Sequence, residues 1–165
     1  VTAAERVLKQ SDPADFEFRH TMNGFVGLRR YVIYVVLASS QGREKWEFAV
    51  EAEASGALRA SISVSEAGTS YGGSSATPYE GQMASVPLYR LFWARVEYVL
   101  ARRADWVTCD EAAREAEATN TNVAVALGGL CGPTSDGRLA PPPPRLDPLP
   151  PSAAPSAVHR RRPGA

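Results

Sequence analysis

Apolar and polar residues alternate most regularly between Trp46 and Val64. Trp46, Phe48, Val50, Ala52 and Ala54 share one side of a period-two pattern, with Glu47, Glu51 and Glu53 on the other. After Ser55-Gly56 the alternation resumes: Leu58, Ala60, Ile62 and Val64 face in, while Arg59, Ser61, Ser63 and Ser65 face out. Two such segments joined by two turn residues predict a β-hairpin. Arg59 then lies across from one of the glutamates, a pairing of about 0.2–1 kcal/mol.

Weaker patterns extend the sheet on its N-terminal side. Residues 15–20 alternate and predict a strand, followed by a loop over 23–27. Residues 30–38 are β-branched and aromatic on both faces, as a central strand requires, and 39–43 read as a turn. Residues 67–84, rich in Gly, Ser and Thr, read as a long connection.

Helical periodicity flanks these strands. Residues 2–10 contain helix formers and stop at Ser11-Asp12-Pro13, because proline cannot continue the ladder. Ser85 reads as an N-cap with Pro87 in the first turn. Leu88, Tyr89, Phe92, Trp93, Val96, Val99 and Leu100 then fill one arc, with Arg90, Ala94, Glu97 and Ala101 opposite, which predicts a helix over 86–104. Thr108 and Glu111 match a capping box opening a second helix, 109–118. Residues 123–127 read as a last strand or a further helical turn, ended by Gly128-Gly129.

Together these elements predict an α+β fold. It is an antiparallel β-meander of three to four strands, packed by one long and one or two short helices. The globular domain is expected over residues 1–139 and a disordered proline-rich C-terminal tail over 140–165. Nine of the 13 prolines lie at Pro141 or later, and the run Pro141 to Pro144 favours polyproline II.

Composition narrows the function classes. The 165 residues are 44% hydrophobic, enough for a core. Eighteen basic residues balance 18 acidic ones, so no net charge draws the chain to nucleic acid. The tail holds four arginines against one aspartate, a mild basic excess. Only Lys9 and Lys45 are lysines, which with abundant alanine and proline reads as a GC-rich, bacterial genome. No apolar run approaches the ~18 residues of a membrane span. An alternative reading starts a signal peptide at Met22, with Arg29-Arg30, the apolar run from Tyr31 and a small-residue site at Ala38-Ser39-Ser40.

Candidate chemistry is sparse. Cys109 and Cys131 are the two cysteines and form a candidate disulfide, which places the chain in an oxidising compartment, periplasmic or secreted; two reduced thiols leave it cytoplasmic. His20 and His159 are too few for a clustered metal site, and no cofactor is implied. The loop Thr69–Tyr79 has neither a phosphate-loop lysine nor a nucleophile elbow. Its Tyr71 and Tyr79 are candidate contacts for a partner or ligand. Glu47, Glu51 and Glu53 read as the wet face of the sheet.

The leading expectation is a non-catalytic binding, interaction or structural protein, exported if the bridge forms, acting on an unidentified protein partner or small ligand. One alternative is a small hydrolase using His20 with a hydroxyl of the Thr69–Tyr79 loop. A second makes the tail a proline-rich ligand, with P-x-x-P spacing from Pro141 and again from Pro148.

Overall fold

A computed structural model of the chain describes residues 1–119, 126–131 and 141–147. Helix α1, Thr2–Ser11, turns Ala3, Ala4, Val7 and Leu8 inward, and the Asp12 N–H closes its end on the Leu8 carbonyl at 3.1 Å. Five strands follow: β1 Phe16–His20, β2 Gly24–Val35, β3 Ala38–Ala52, β4 Leu58–Gly72 and β5 Ser75–Gln82. They form one antiparallel sheet in the order β1-β2-β3-β4-β5. Helices α2, Val86–Val99, α3, Cys109–Ala118, and the short α4, Gly128–Cys131, complete the described structure.

The expected hairpin is present, with Trp46 opposite Val64, Phe48 opposite Ile62, and Glu51 opposite Arg59, but it turns through three residues, 54–56, rather than two, since the Glu53 N–H bonds the Ala57 carbonyl. Gly56 turns it at φ 81°, a conformation that suits glycine. Its buried face meets α2: Phe92 lies 6.0 Å from Trp46 and 6.5 Å from Phe48, ring centre to ring centre. Trp46, Val64 and Phe92 are fully buried, so this helix–sheet interface is filled. Leu58, expected to face in, is 74% exposed. It stands at the hairpin end, past the reach of the helical layer.

The meander has five strands rather than three or four. Residues 67–84, expected as a loop, continue β4 and form β5, joined by a turn at Gly73-Ser74. Residues 39–43, expected as a turn, belong to β3, and the real turn is Val36-Leu37. Low β-propensity is overridden here by pairing with a strand already in place. Glycine also leaves room for aromatic cover, which compensates for its missing side chain. Tyr31 sits against Gly42 and Tyr79 against Gly68, where any Cβ would collide with these rings.

Two helix ends differ from expectation. Helix α2 stops at Val99 instead of residue 104, because Ala101 takes φ 56° and the Arg102 N–H turns back to the Glu97 carbonyl. Gly128-Gly129, expected as a stop, begins the single turn of α4. Helix α3 matches expectation, with both halves of the Thr108–Glu111 capping box formed. Residues 141–147, the start of the expected tail, lie against the domain: Pro143 is buried, the Leu146 N–H meets the Val99 carbonyl at 2.7 Å, and Arg6 Nη1 donates to the Pro144 carbonyl at 2.9 Å. Residues 148–165, with the second P-x-x-P segment and His159, fall outside the described residues, as do 123–125.

Candidate functional site

Strands of 12 to 15 residues outrun the helices that cover them. Fifteen residues reach about 50 Å. The core face ends in a buried polar rung. Arg29 Nε donates to Asp12 Oδ2 at 2.8 Å, and Arg29 Nη1 lies 3.5 Å from Glu44 Oε1. Glu44 Oε2 also accepts from Trp46 Nε1 at 3.0 Å and from the Gly129 N–H at 3.1 Å. Burial pushes the Glu44 carboxyl above its ordinary range, opposed by the Arg29 charge. These groups satisfy one another and join the first strands to α1 and α4; the arrangement is architectural. Nothing in a sequence marks Arg29 as buried and Arg30 as exposed except strand parity.

Beyond this rung, Tyr31, Gly42, Gly68 and Tyr79 lie side by side across four strands. The Tyr31 and Tyr79 hydroxyls are hydrogen-bonded, and Ser40 Oγ is 3.0 Å from Tyr79 Oη. Burial, and then the Tyr79 hydroxyl, raise the Tyr31 phenol above the tyrosine range, so it holds its proton. Tyr71 lies on the other face of the sheet, where its hydroxyl accepts from Gln41 Nε2 at 3.0 Å. The two candidate contact tyrosines therefore belong to different surfaces.

The described hairpin ends are bordered by two contrasting edges. Ladder bonds alternate in direction along an antiparallel strand. Because the Val50 N–H bonds the Asn23 carbonyl and the Thr21 N–H bonds the Gly24 carbonyl, odd residues of β2 point their backbone at β3 and even ones at β1. Strand β1 pairs no further than Phe16 with Arg29. Val32 and Tyr34 thus direct their N–H and C=O groups to an edge with no strand beside it among the described residues. Their side chains are 45% and 81% exposed, and Val36 and Leu37 at the adjoining turn are also exposed. On β5 the same parity turns the Pro78 nitrogen outward, since Met83 N–H bonds the Val64 carbonyl and Pro78 lies opposite Thr69. That edge lacks a donor at its centre. The sequence hid the difference, because it read 67–84 as a loop and 30–38 as a central strand.

On the outer face, Arg30 and Arg43 are direct cross-strand neighbours. Neither forms an ion pair with a described residue. With Val32, Gln41 and Thr69 they border a shallow depression of about 490 Å³.

The hydrolase constellation is not assembled. His20 Nε2 contacts Glu5 Oε2 at 2.9 Å and lies in the row of Phe25, whereas Tyr79 lies in the row of Tyr31. Six residues of strand rise separate the rows, about 20 Å. Among the described residues no group of His, Cys, Asp and Glu could hold a metal ion. A groove of about 640 Å³ between α2 and α3 is lined in part by Tyr89, Trp93 and Val107, and its Arg90 and Glu115 pair with each other. Cys109 and Cys131 are joined in a disulfide with Cα atoms 5.6 Å apart. Among the described residues no helix is long and apolar enough to cross a membrane.

Comparison with protein-family models, with curated proteins and with solved structures yields no match for this chain. The functional reading therefore rests on the geometry alone.

Proposed function

We propose that the chain is a non-catalytic interaction protein that binds an extended segment of a protein along the uncovered edge of β2. What supports the reading is the contrast between the two edges at the end of the sheet that β1 does not reach. Folded proteins blunt exposed edges with proline, charge or cover, because an open row of backbone donors and acceptors recruits other strands. Pro78 blunts β5 in this way. Val32 and Tyr34 are exposed and have no strand beside them among the described residues. Strand addition takes affinity from such backbone groups and selectivity from alternate side chains.

The Cys109–Cys131 bridge extends the proposal to a chain that matures in an oxidising compartment, outside the cytoplasm. Thiol titration of protein isolated from its source, denatured without reductant, tests that part. Two titratable thiols would remove it.

The edge itself is tested with a displayed library of random 12-residue peptides. Selected peptides are expected to shift the amide resonances of Val32 and Tyr34, and to lose binding in Val32→Pro. Proline is tolerable there because the Val32 N–H takes no part in the β2–β3 ladder. Selected peptides that perturb only the α2–α3 groove, or a selection that yields no binder, would overturn the reading.

A further inference from the structure

We propose that the segment taken up by β2 is β2 of a second copy of this chain, paired antiparallel about a two-fold axis through Ile33. The inference rests on the open-edge reading and names its occupant.

The open stretch is short and bounded on both sides. It begins after Arg29, where Phe16 ends the pairing with β1, and closes at the Val36-Leu37 turn. Six residues, 30–35, remain, and Ile33 lies midway between Val32 and Tyr34, the exposed residues whose backbone groups point to the open side. Placed antiparallel on that midpoint, Val32 of one copy faces Tyr34 of the other, and the reverse. Val32 and Tyr34 both point their backbone groups outward, so the N–H of each meets the C=O of the other across the two copies. Ile33 faces its own counterpart in the closer, non-hydrogen-bonded pairing.

Neighbouring registers fail. Centring the axis on Val32 puts strand residue 35 of the second copy where Phe16 already pairs with Arg29, whereas centred on Ile33 only the turn residue Leu37 comes to that level. Centring it on Tyr34 sets Val32 against the turn residue Val36 and wastes its backbone groups. A one-residue slip opposes inward-facing to outward-facing side chains.

Side chains agree with the Ile33-centred register. Val32 against Tyr34 is a β-branched–aromatic pair, a favourable cross-strand combination. It shields part of two residues that are 45% and 81% exposed in the single chain. The Arg30 side chains of the two copies fall about 20 Å apart along the strands, so like charges do not oppose one another. An isologous contact of this kind closes on itself and yields a dimer with one continuous ten-stranded sheet.

The test uses the full chain with its native disulfide. Sedimentation equilibrium up to about 1 mM is expected to show a concentration-dependent monomer–dimer equilibrium, since so short an edge gives a small interface. Val32→Pro should abolish it while leaving the far-ultraviolet circular dichroism unchanged. Register is read with single cysteines: Ile33→Cys should form a disulfide-linked dimer under mild oxidation at least tenfold faster than Tyr34→Cys, because only position 33 faces itself. A chain that stays monomeric throughout, a dimer that survives Val32→Pro, or faster cross-linking at position 34 would each overturn the proposal. If the chain is monomeric yet library peptides still shift Val32 and Tyr34, self-pairing alone fails. If both are negative, the open-edge reading falls with it.

Discussion

Arg95 Nη2 lies 3.3 Å from Cys109 Sγ and 3.6 Å from Cys131 Sγ, so a buried cation rests directly on the disulfide. Arg95 is 1% exposed, and its remaining partners are neutral: the carbonyls of Val107 and Leu130, Ser11 Oγ and the face of Trp106. Burial lowers the guanidinium to about 10, which leaves it charged at neutral pH. One side chain thus ties α2 to α1, to the start of α3 and to α4.

Removing that tie should cost about 3 kcal/mol, through the cavity and the orphaned Val107 and Leu130 carbonyls. Urea titration of Arg95→Ala measures it, and Arg95→Lys should fall between Ala and wild type. An Ala midpoint equal to wild type would show the guanidinium to be dispensable.

The bridge closes a loop of 22 residues in sequence separation. Constraining the unfolded chain over that length contributes about 3 kcal/mol. Paired Cys109→Ala and Cys131→Ala substitutions should lower the melting temperature accordingly, and reductant should then have no further effect on the variant. A reductant-sensitive melting curve in the double variant would place the effect elsewhere.

Glu44 supplies a pH dependence of definite sign. Burial lifts its folded-state value above 4.5, against the pull of Arg29 and the two N–H donors. The folded chain then binds the proton more tightly than the unfolded chain. Between the two values, stability falls as pH rises. The stability of wild type relative to Glu44→Gln should therefore decline as pH is raised from 4.5 through that window. Chemical denaturation at a series of pH values reads the difference; a rise with pH would reverse the assignment.

Arg30 opposite Arg43 is an unfavourable pair on an open face. Arg43→Glu should stabilise by about 0.2–1 kcal/mol, an effect that shrinks in 1 M salt. An unchanged or lowered melting temperature at low salt would count against it.

Gly42 is required by close approach. A Cβ there would meet the Ala67 carbonyl oxygen at 2.7 Å and Tyr31 Oη at 2.8 Å. Gly42→Ala should cost about 1–3 kcal/mol by forcing the Tyr31 ring or the β3–β4 ladder to shift. Gly81→Ala, with open space around it, serves as the mild control in the same melting series.

The sheet's heart was legible wherever side chains alternate without a glycine: Trp46 to Val64 announced its turn, its faces and its partner helix. The capping box of α3 and the N-cap of α2 were legible because both are local bonds between residues three apart. Strand β5 was not, since Pro78 and Gly81 deny it an intrinsic preference and only an adjacent strand makes it one. The opposite faces of Tyr71 and Tyr79 are not legible in the sequence, because the face of each depends on a register that a loop does not have.

The amino-acid order alone determined the class of fold, the central hairpin, the starts of α1, α2 and α3 and the two cysteines available to one another, because each follows from periodicity, a local cap or simple counting. Tertiary structure decided that Arg29 is buried and Arg30 exposed, that the glycine-rich stretch is sheet, and that among the described residues no strand flanks the end of β2 while Pro78 blunts β5. Those outcomes depend on where a neighbouring strand ends, a relation between segments distant in sequence.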